Sequence, residues 1–413
     1  MTTAGHLAPR HSRLPPRAQS LLFALIALVA EPRLPAEPYT PRSDDEVLER
    51  LPAGFRRSEA RLDQENLAND PDNLRESIAL AQSYLETARS EGDGRYLGFA
   101  QAVLAPWWDR PSPPYEVLFL RARVRASLWA FDQAGRDLDT VIAQHPEFTA
   151  ARNLRFEIAL ARGEGDIAQR LVDAWPSAAV GSAPGVLVRA RWASWRGEAA
   201  VAWTAVSTWL ETLGADRTQD RHAALGLLAD LALQAGQPGE ARRHFEAQRR
   251  LAVRDVAATV AYADLLLDLG EPSAVIEIAN DSASAAAAAV RLVAALDLLI
   301  RSDPSPTLRE RRRTLADEAR RQLEAQERRG DPSGLPERVF YQLKIENRPA
   351  EAAREARDLW ALRRKSDDVR WVLEAGVGAQ DSSLTGQVTE WIRSHRLTDA
   401  RWAGLLKKAE AMR

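Results

Sequence analysis

Residues 221–251 read RHAALGLLADLALQAGQPGEARRHFEAQRRL, and this stretch decides the fold. Its first half places apolar side chains at helical spacing, at Leu227, Leu228, Leu231 and Ala232. The run QAGQPGEA at 234–241 contains the glycines and proline of a tight turn. Ala241 and Phe245 then follow four residues apart, which places both on one face of a second helix. The stretch therefore predicts a helical hairpin.

The small residue that follows the turn recurs along the chain. Ala100, Ala134 and Ala168 are evenly spaced, and the interval from Ala241 to Ala274 is shorter by a single residue. A small side chain at this place lets the two helices of a hairpin approach each other. The regular spacing predicts consecutive hairpins, each of which buries its apolar face by stacking on its neighbours.

On these features the chain resembles the tetratricopeptide repeat (TPR) family, whose period is about 34 residues. The resemblance is carried by steps that join a turn to the small residue after it, at Gly94–Ala100, Phe131–Ala134, Gly165–Ala168, Gly236–Ala241 and Gly270–Ala274. The stretch GRYLGFAQAVLAPWW at Gly94–Trp108 is also similar to one in exported bacterial proteins of this repeat class. The likeness covers roughly residues 71–300, with the remainder of the chain less similar.

The chain departs from the family pattern in two respects. The tryptophan and tyrosine usual early in the first helix are mostly absent. The interval from Gly197 to Gly236 is also longer than the family period, which predicts longer helices in one hairpin. The resemblance implies an all-α fold, a right-handed α-solenoid of TPR-like hairpins. It also implies a concave groove that binds peptides or segments of other proteins.

From Asp303 onward the spacing blurs, but helices are still predicted. Thr307–Arg329 predicts one long, highly charged helix that ends at Gly330. Shorter helices are predicted near Pro336–Glu346, Pro349–Arg363, Asp367–Ala375, Ser383–Ser394 and Asp399–Met412. We expect residues 301–413 to form further hairpins, with the last helices acting as a C-terminal helical cap on the open end of the stack. A separate small helical domain is the alternative.

The N-terminal residues predict export. The basic start contains Arg10, Arg13 and Arg17. The apolar run Leu21–Ala30 and a proline-containing stretch at Glu31–Pro38 follow, which is the order of a secretory signal peptide. Ten helical residues span about 15 Å, half of the roughly 30 Å hydrocarbon core. We expect residues 1–38 to be a signal peptide and leader, residues 39–70 to form lead-in helices, and the protein to be periplasmic. An uncleaved helix that anchors it in the inner membrane is the alternative.

Composition excludes some classes of function. The net charge is −2 and the pI about 6.4, so the chain lacks the strongly basic balance typical of nucleic-acid binding. There is no cysteine, which removes disulfides, thiolate metal sites and cysteine nucleophiles.

Motifs that carry chemistry are scarce, and we therefore predict neither an enzyme nor a bound cofactor or metal. No phosphate-binding glycine loop and no Gly-x-Ser-x-Gly motif occurs in the sequence. His222 and His244 lie in neighbouring helices of one predicted hairpin, but no carboxylate stands at a metal-site spacing from either. A small-ligand binder or enzyme that uses this pair is the alternative.

Two groups of residues are candidates for binding a partner. The chain contains 12 tryptophans, and the candidates among them are Trp107, Trp108, Trp192, Trp195 and Trp203. Aromatic side chains dominate protein recognition, although packing between hairpins also uses them. Arginines crowd the helix predicted at Thr307–Arg329, and the candidates there are Arg312, Arg313 and Arg320. These arginines suit an acidic peptide or phosphate, although interleaved glutamates and aspartates also predict a solvated helix with internal ion pairs.

The sequence thus predicts a scaffold or adaptor that binds other proteins or peptides and performs no catalysis. The sequence does not name the partner, because a repeat groove changes its specificity through side chains on an unchanged frame.

Overall fold

The computed structural model describes residues 73–412 and shows an all-α chain without strands in that range. The predicted signal peptide and lead-in helices lie outside the described residues. The helices up to residue 328 are α1 (Leu74–Glu91), α2 (Arg95–Val103), α3 (Ala105–Trp108), α4 (Tyr115–Ser127), α5 (Phe131–Gln144), α6 (Thr149–Arg162), α7 (Gly165–Asp173), α8 (Ala183–Trp195), α9 (Ala199–Thr212), α10 (Thr218–Gln234), α11 (Pro238–Arg249), α12 (Val256–Asp268), α13 (Pro272–Ala279), α14 (Ala286–Ser302) and α15 (Pro306–Arg328).

These helices form the predicted hairpins, each packed on the next. The pairs are α1/α2, α4/α5, α6/α7, α8/α9, α10/α11, α12/α13 and α14/α15. The small residue after the turn is the fourth residue of the second helix in four of them, at Ala134, Ala168, Ala202 and Ala241, and all four are fully buried. The hairpin fold predicted from the spacing is confirmed.

The structure corrects one position of the repeat and adds another. Since α13 begins at Pro272, its fourth residue is Val275, which is fully buried, and the predicted Ala274 is only half-buried beside it. The interval from Ala168 to Ala202 equals the interval from Ala134 to Ala168. The fully buried Ala202 therefore marks one further repeat, in addition to those predicted from the sequence. The long interval between Gly197 and Gly236 arises in this hairpin and the next, because α9 and α10 have 14 and 17 residues.

The C-terminal helices also begin and end close to the predicted residues. They are α16 (Leu335–Phe340), which continues into a π-helical turn at Tyr341–Ile345, α17 (Pro349–Leu362), α18 (Ser366–Gly378), α19 (Ser382–Ser394) and α20 (Ala400–Glu410). The long charged helix predicted at Thr307–Arg329 is α15, and Gly330 follows it with φ 66°.

The C-terminal helices pack along the inner face of the repeats, formed by the first helices of successive hairpins. The backbone N–H of Arg364 donates to the carbonyl of Ala161 in α6, at 2.7 Å. Arg370 in α18 binds Asp268 at the end of α12 through two hydrogen bonds of 2.6 and 2.7 Å. The cap predicted for the end of the stack therefore reaches from α6 to α12.

Two further contacts position these elements. A Cβ built on Gly163, at the end of α6, would lie 2.8 Å from the Trp391 ring in α19, so this glycine permits close approach. At the other side of the molecule, Arg89 near the end of α1 forms an ion pair of 2.6 Å with Asp255 before α12. The first hairpin thus touches the sixth.

One apolar cluster joins the repeats to the C-terminal helices. It combines buried residues of α4–α6 and α14 with those of α16–α20, including Leu118, Phe131, Val290, Phe340, Trp371 and Trp402. The C-terminal helices are therefore part of the protein core. Within residues 73–412, no helix is both long and apolar enough to cross a membrane.

Candidate functional site

A cavity of about 360 Å³ lies between the inner face of the repeats and the C-terminal helices. We call it the central cavity. Its repeat side is formed by α6, α8 and α10, the first helices of three consecutive hairpins. Its other side is formed by residues 364–365, α18, α19, the loop from 397 to 399 and α20.

Tryptophans from both sides form an aromatic wall in the central cavity. Trp195 of α8 lies edge-on to His395, with ring centroids 5.5 Å apart, and Trp391 of α19 lies 4.9 Å from the same imidazole. Trp402 of α20 is buried, and its indole N–H donates to the hydroxyl of Ser366 at 3.0 Å. Three indoles therefore face one cavity from elements far apart in sequence.

Arg401 is the centre of an ion network beside this wall. Its guanidinium lies 2.9 Å from Asp230 of α10, 3.0 Å from Asp367 and 2.5 Å from Asp399. Burial alone would lower the pKa of Arg401, but the three carboxylates outweigh this and hold the pKa well above its ordinary value. The network joins α10 of the repeats to α18 and α20.

Asp230 is partly accessible to solvent from the central cavity. Desolvation raises the pKa of its carboxyl, and Arg401 opposes the rise. The side chain is nevertheless 42% exposed, so the carboxylate is surrounded by protein while remaining in contact with water in the cavity.

Two further cavities adjoin the central cavity. Asp230, Asp367 and Arg401 also line a cavity of about 150 Å³ toward α12. Glu157 and Lys365 also line a cavity of about 460 Å³ toward α1 and α4. The three cavities follow the inner face of the repeats in sequence.

The predicted tryptophans are not brought together on one surface. Trp192 is buried, stacks on Trp195 with centroids 5.1 Å apart, and donates its indole N–H to Gln169 at 3.0 Å. Trp203 lies in the outer helix α9 against His244. Trp107 is buried and Trp108 half-buried in α3, which packs in the apolar cluster of the first hairpin. Of these five, Trp195 alone lines any of the inner cavities, and it lines only the central cavity.

The predicted arginines of α15 are all engaged in ion pairs. Arg312 forms two hydrogen bonds with Asp297 of α14, at 2.9 and 3.1 Å. The two exposed arginines pair within the helix, Arg313 with Glu310 and Arg320 with Asp317. The pairs of Arg313 and Arg320 are those expected for a solvated helix with internal ion pairs.

The two histidines do not form a joint site. His222 is buried, and its backbone carbonyl accepts a hydrogen bond from Gln248 at 3.0 Å. His244 lies against Trp203, and neither imidazole lines the three inner cavities. Across residues 73–412, no group of three metal-binding side chains is close enough to hold an ion.

Sequence reasoning missed most of the cavity. Trp391, Trp402 and Arg401 lie in the part of the chain where the spacing blurs, and Asp367 was interpreted only as a helix-start residue. The one available signal was Asp230, a carboxylate within the apolar pattern of residues 221–251.

Comparison with known proteins finds similar chains among solved structures. No protein-family model matches the chain, and no curated protein matches it. Among solved structures, the TPR domain of P58(IPK) is 18% identical, with 80% of this chain and 98% of that chain covered and a TM-score of 0.23. The Cut9–Hcn1 hetero-tetramer of APC/C is 13% identical, with 86% and 90% covered and a TM-score of 0.27. Naa15/Naa10 bound to HypK-THB is 14% identical, with 82% and 55% covered and a TM-score of 0.26.

Proposed function

We propose that this protein is a non-catalytic scaffold of the cell envelope. It binds an extended segment of another protein on the inner face of its helical hairpins. The central cavity is the binding site, and the three tryptophans anchor apolar side chains of the partner.

The observation that carries this proposal is the aromatic wall beside the Arg401 network. Tryptophan supplies a large apolar surface with a single hydrogen-bond donor, and such residues dominate the energy of protein interfaces. Arg401 and its carboxylates are already paired, so this part of the cavity is preorganised before a partner arrives.

The row of cavities favours an extended segment over a folded domain. Each adjoining cavity shares lining residues with the central one, and none is larger than about 460 Å³. A folded domain does not enter spaces of this size, whereas successive side chains of an extended chain do.

The envelope location rests on the N-terminal sequence alone. Sequencing the N-terminus of protein purified from its host tests it. A new N-terminus within residues 28–38 supports export with cleavage, whereas an intact Leu21–Ala30 run supports the membrane-tethered form.

Site-specific photo-crosslinking tests the binding site. A photoreactive phenylalanine analogue replaces Thr398, an exposed residue that lines the central cavity. The matched control replaces Val201, which is 60% exposed on the outer helix α9. We expect conjugates from position 398 that map to one contiguous segment of a partner, and none from position 201.

The variant Trp195→Ala, shown to remain helical by circular dichroism, should reduce the yield of these conjugates. If position 201 alone gives conjugates, the interface lies on the outer face of the hairpins instead. If neither position gives a conjugate, the proposal of a protein scaffold loses its support.

A further inference from the structure

The cavity between α1, α4, α6 and the loop from 363 to 365 has an unbalanced charge. We call this space of about 460 Å³ the cationic cavity. Its charged lining residues are Arg89, Arg123, Arg363, Lys365 and Glu157, so four cations face one carboxylate. The carboxylate is itself engaged, since Glu157 binds Arg191 of α8 at 2.5 Å.

Two of the four cations have carboxylate partners. Arg363 forms two hydrogen bonds with Asp368, at 2.7 and 2.8 Å, and its guanidinium lies 4.2 Å from the centroid of Trp129. Arg89 forms ion pairs of 2.6 Å with both Glu86 and Asp255. These pairs hold their guanidinium groups in place at the edge of the cavity.

Arg123 and Lys365 differ, because neither side chain forms an ion pair or hydrogen bond with another described residue. Burial lowers the pKa of Arg123, and the neighbouring Arg89 lowers it further against the opposing effect of Glu86. Water reaches the Lys365 side chain, yet burial and then Arg363 lower its pKa. Two cations that have no hydrogen-bond partner among the described residues therefore line one cavity, and an anion between them would be attracted by both.

Most of the uncharged lining is apolar, although Ser127, Gln326 and Ser333 also contribute to it. Leu97, Phe131, Leu154 and Ile158 come from α2, α5 and α6 and are buried or half-buried. A ligand that suits both the cations and this wall has a charged head and an apolar body. The volume is within the range of about 300–1,000 Å³ typical of small-molecule sites.

We propose that the cationic cavity binds a small organic anion with an apolar body, whose carboxylate or phosphate head lies between Arg123 and Lys365. This inference goes beyond the scaffold function and does not depend on it. The ammonium of Lys365 is suited to either head group, and the guanidinium of Arg123 can bind either through two parallel hydrogen bonds.

Calorimetric titration of the full chain with defined probes tests the proposal. Octanoate and octyl phosphate share the apolar body and distinguish the two head groups. We expect at least one of them to bind, octyltrimethylammonium not to bind, and inorganic phosphate to bind more weakly because it lacks the apolar body. Equal binding of the cationic and anionic amphiphiles, or of neither, would overturn the proposal.

Variants locate the site. Arg123→Gln and Lys365→Gln should each weaken anion binding about tenfold or more, because each removes a charged hydrogen-bond partner. Arg313→Gln is the matched control, since it removes an exposed arginine from α15 and should leave affinity unchanged.

Thermal unfolding of the empty protein supplies a second measurement. If the two cations serve a ligand, Arg123→Gln should raise the midpoint of thermal unfolding of the ligand-free protein, because Arg123 is half-buried beside Arg89. Both Arg123→Gln and Lys365→Gln should abolish the stabilisation by the probe. A lower midpoint together with unchanged affinity would show a structural role and contradict the proposal. Binding of an acidic octapeptide without binding of either amphiphile would also overturn it.

Discussion

At the scale of single residues, His244 shows how a partly buried imidazole affects stability. Its Nε2 is buried without a hydrogen-bond partner, and its ring lies edge-on to Trp203 with centroids 5.3 Å apart. Burial lowers its pKa, with a smaller contribution from Arg243. The pKa of histidine in an unfolded chain is about 6.5. As pH falls below this value, the unfolded chain takes up a proton before the folded chain does, so the folded state loses stability.

We therefore expect His244→Phe to stabilise the protein by about 1 kcal/mol at pH 8, because it removes an unsatisfied polar atom and keeps the edge contact with Trp203. The gain in unfolding free energy should be larger at pH 5.5. At that pH the wild-type protein is less stable, because its folded state resists protonation of His244 and the unfolded chain does not. Urea unfolding at both pH values measures this. His145→Phe is the control, since His145 is 35% exposed beside Glu147 and should give no such gain. A gain at pH 8 that disappears at pH 5.5 would contradict the explanation.

At the scale of helices, docking of α19 depends on a glycine at the end of α6. Gly163 has φ 73°, and its missing side chain leaves room for Trp391. Gly197, at the end of α8, has φ 83° with no atom within 4 Å of an added Cβ. The two glycines share the left-handed backbone but differ in their surroundings.

We expect Gly197→Ala to cost about 1 kcal/mol of unfolding free energy from backbone strain alone. Gly163→Ala should cost about 1–3 kcal/mol more, because the Trp391 ring must move against Trp360 and His395. Urea unfolding of both variants measures the difference. Equal losses would show that α19 does not pack closely on α6.

At the scale of the whole molecule, the chain departs from a simple solenoid. In a solenoid each repeat contacts only its neighbours and can unfold separately. Here Arg364 donates to the carbonyl of Arg162, 202 residues earlier, and Arg89 pairs with Asp255, 166 residues later. These contacts and the shared apolar cluster connect distant parts of the chain.

We therefore expect residues 73–412 to unfold as one cooperative unit. Urea transitions followed by far-UV circular dichroism and by the protection of α6, α10 and α18 against hydrogen exchange should coincide. Early loss of protection in α18, with α6 and α10 still protected, would show instead that the C-terminal helices open from the inner face.

The sequence by itself determined the helices. The spacing of Ala134 and Ala168 marks where the second helix of each hairpin begins, and prolines and glycines mark the turns, because these signals act over a few residues. For this reason α15 was predicted to within one residue at each end. The misplacement of Ala274 by one residue arose because both Ala274 and Val275 are apolar, and only packing shows which one is buried.

Only the tertiary structure decided where the C-terminal helices lie and which charges remain unpaired. Helical periodicity shows which face of α18 or α20 is apolar, but not which distant helix that face meets. Arg401 and Asp230 form an ion pair between helices that are far apart in the chain, and no local pattern relates them. Arg123 and Lys365 likewise resemble the paired arginines in sequence. That they have no partner within residues 73–412 is visible only once the chain has folded, because an ion pair depends on distance in space.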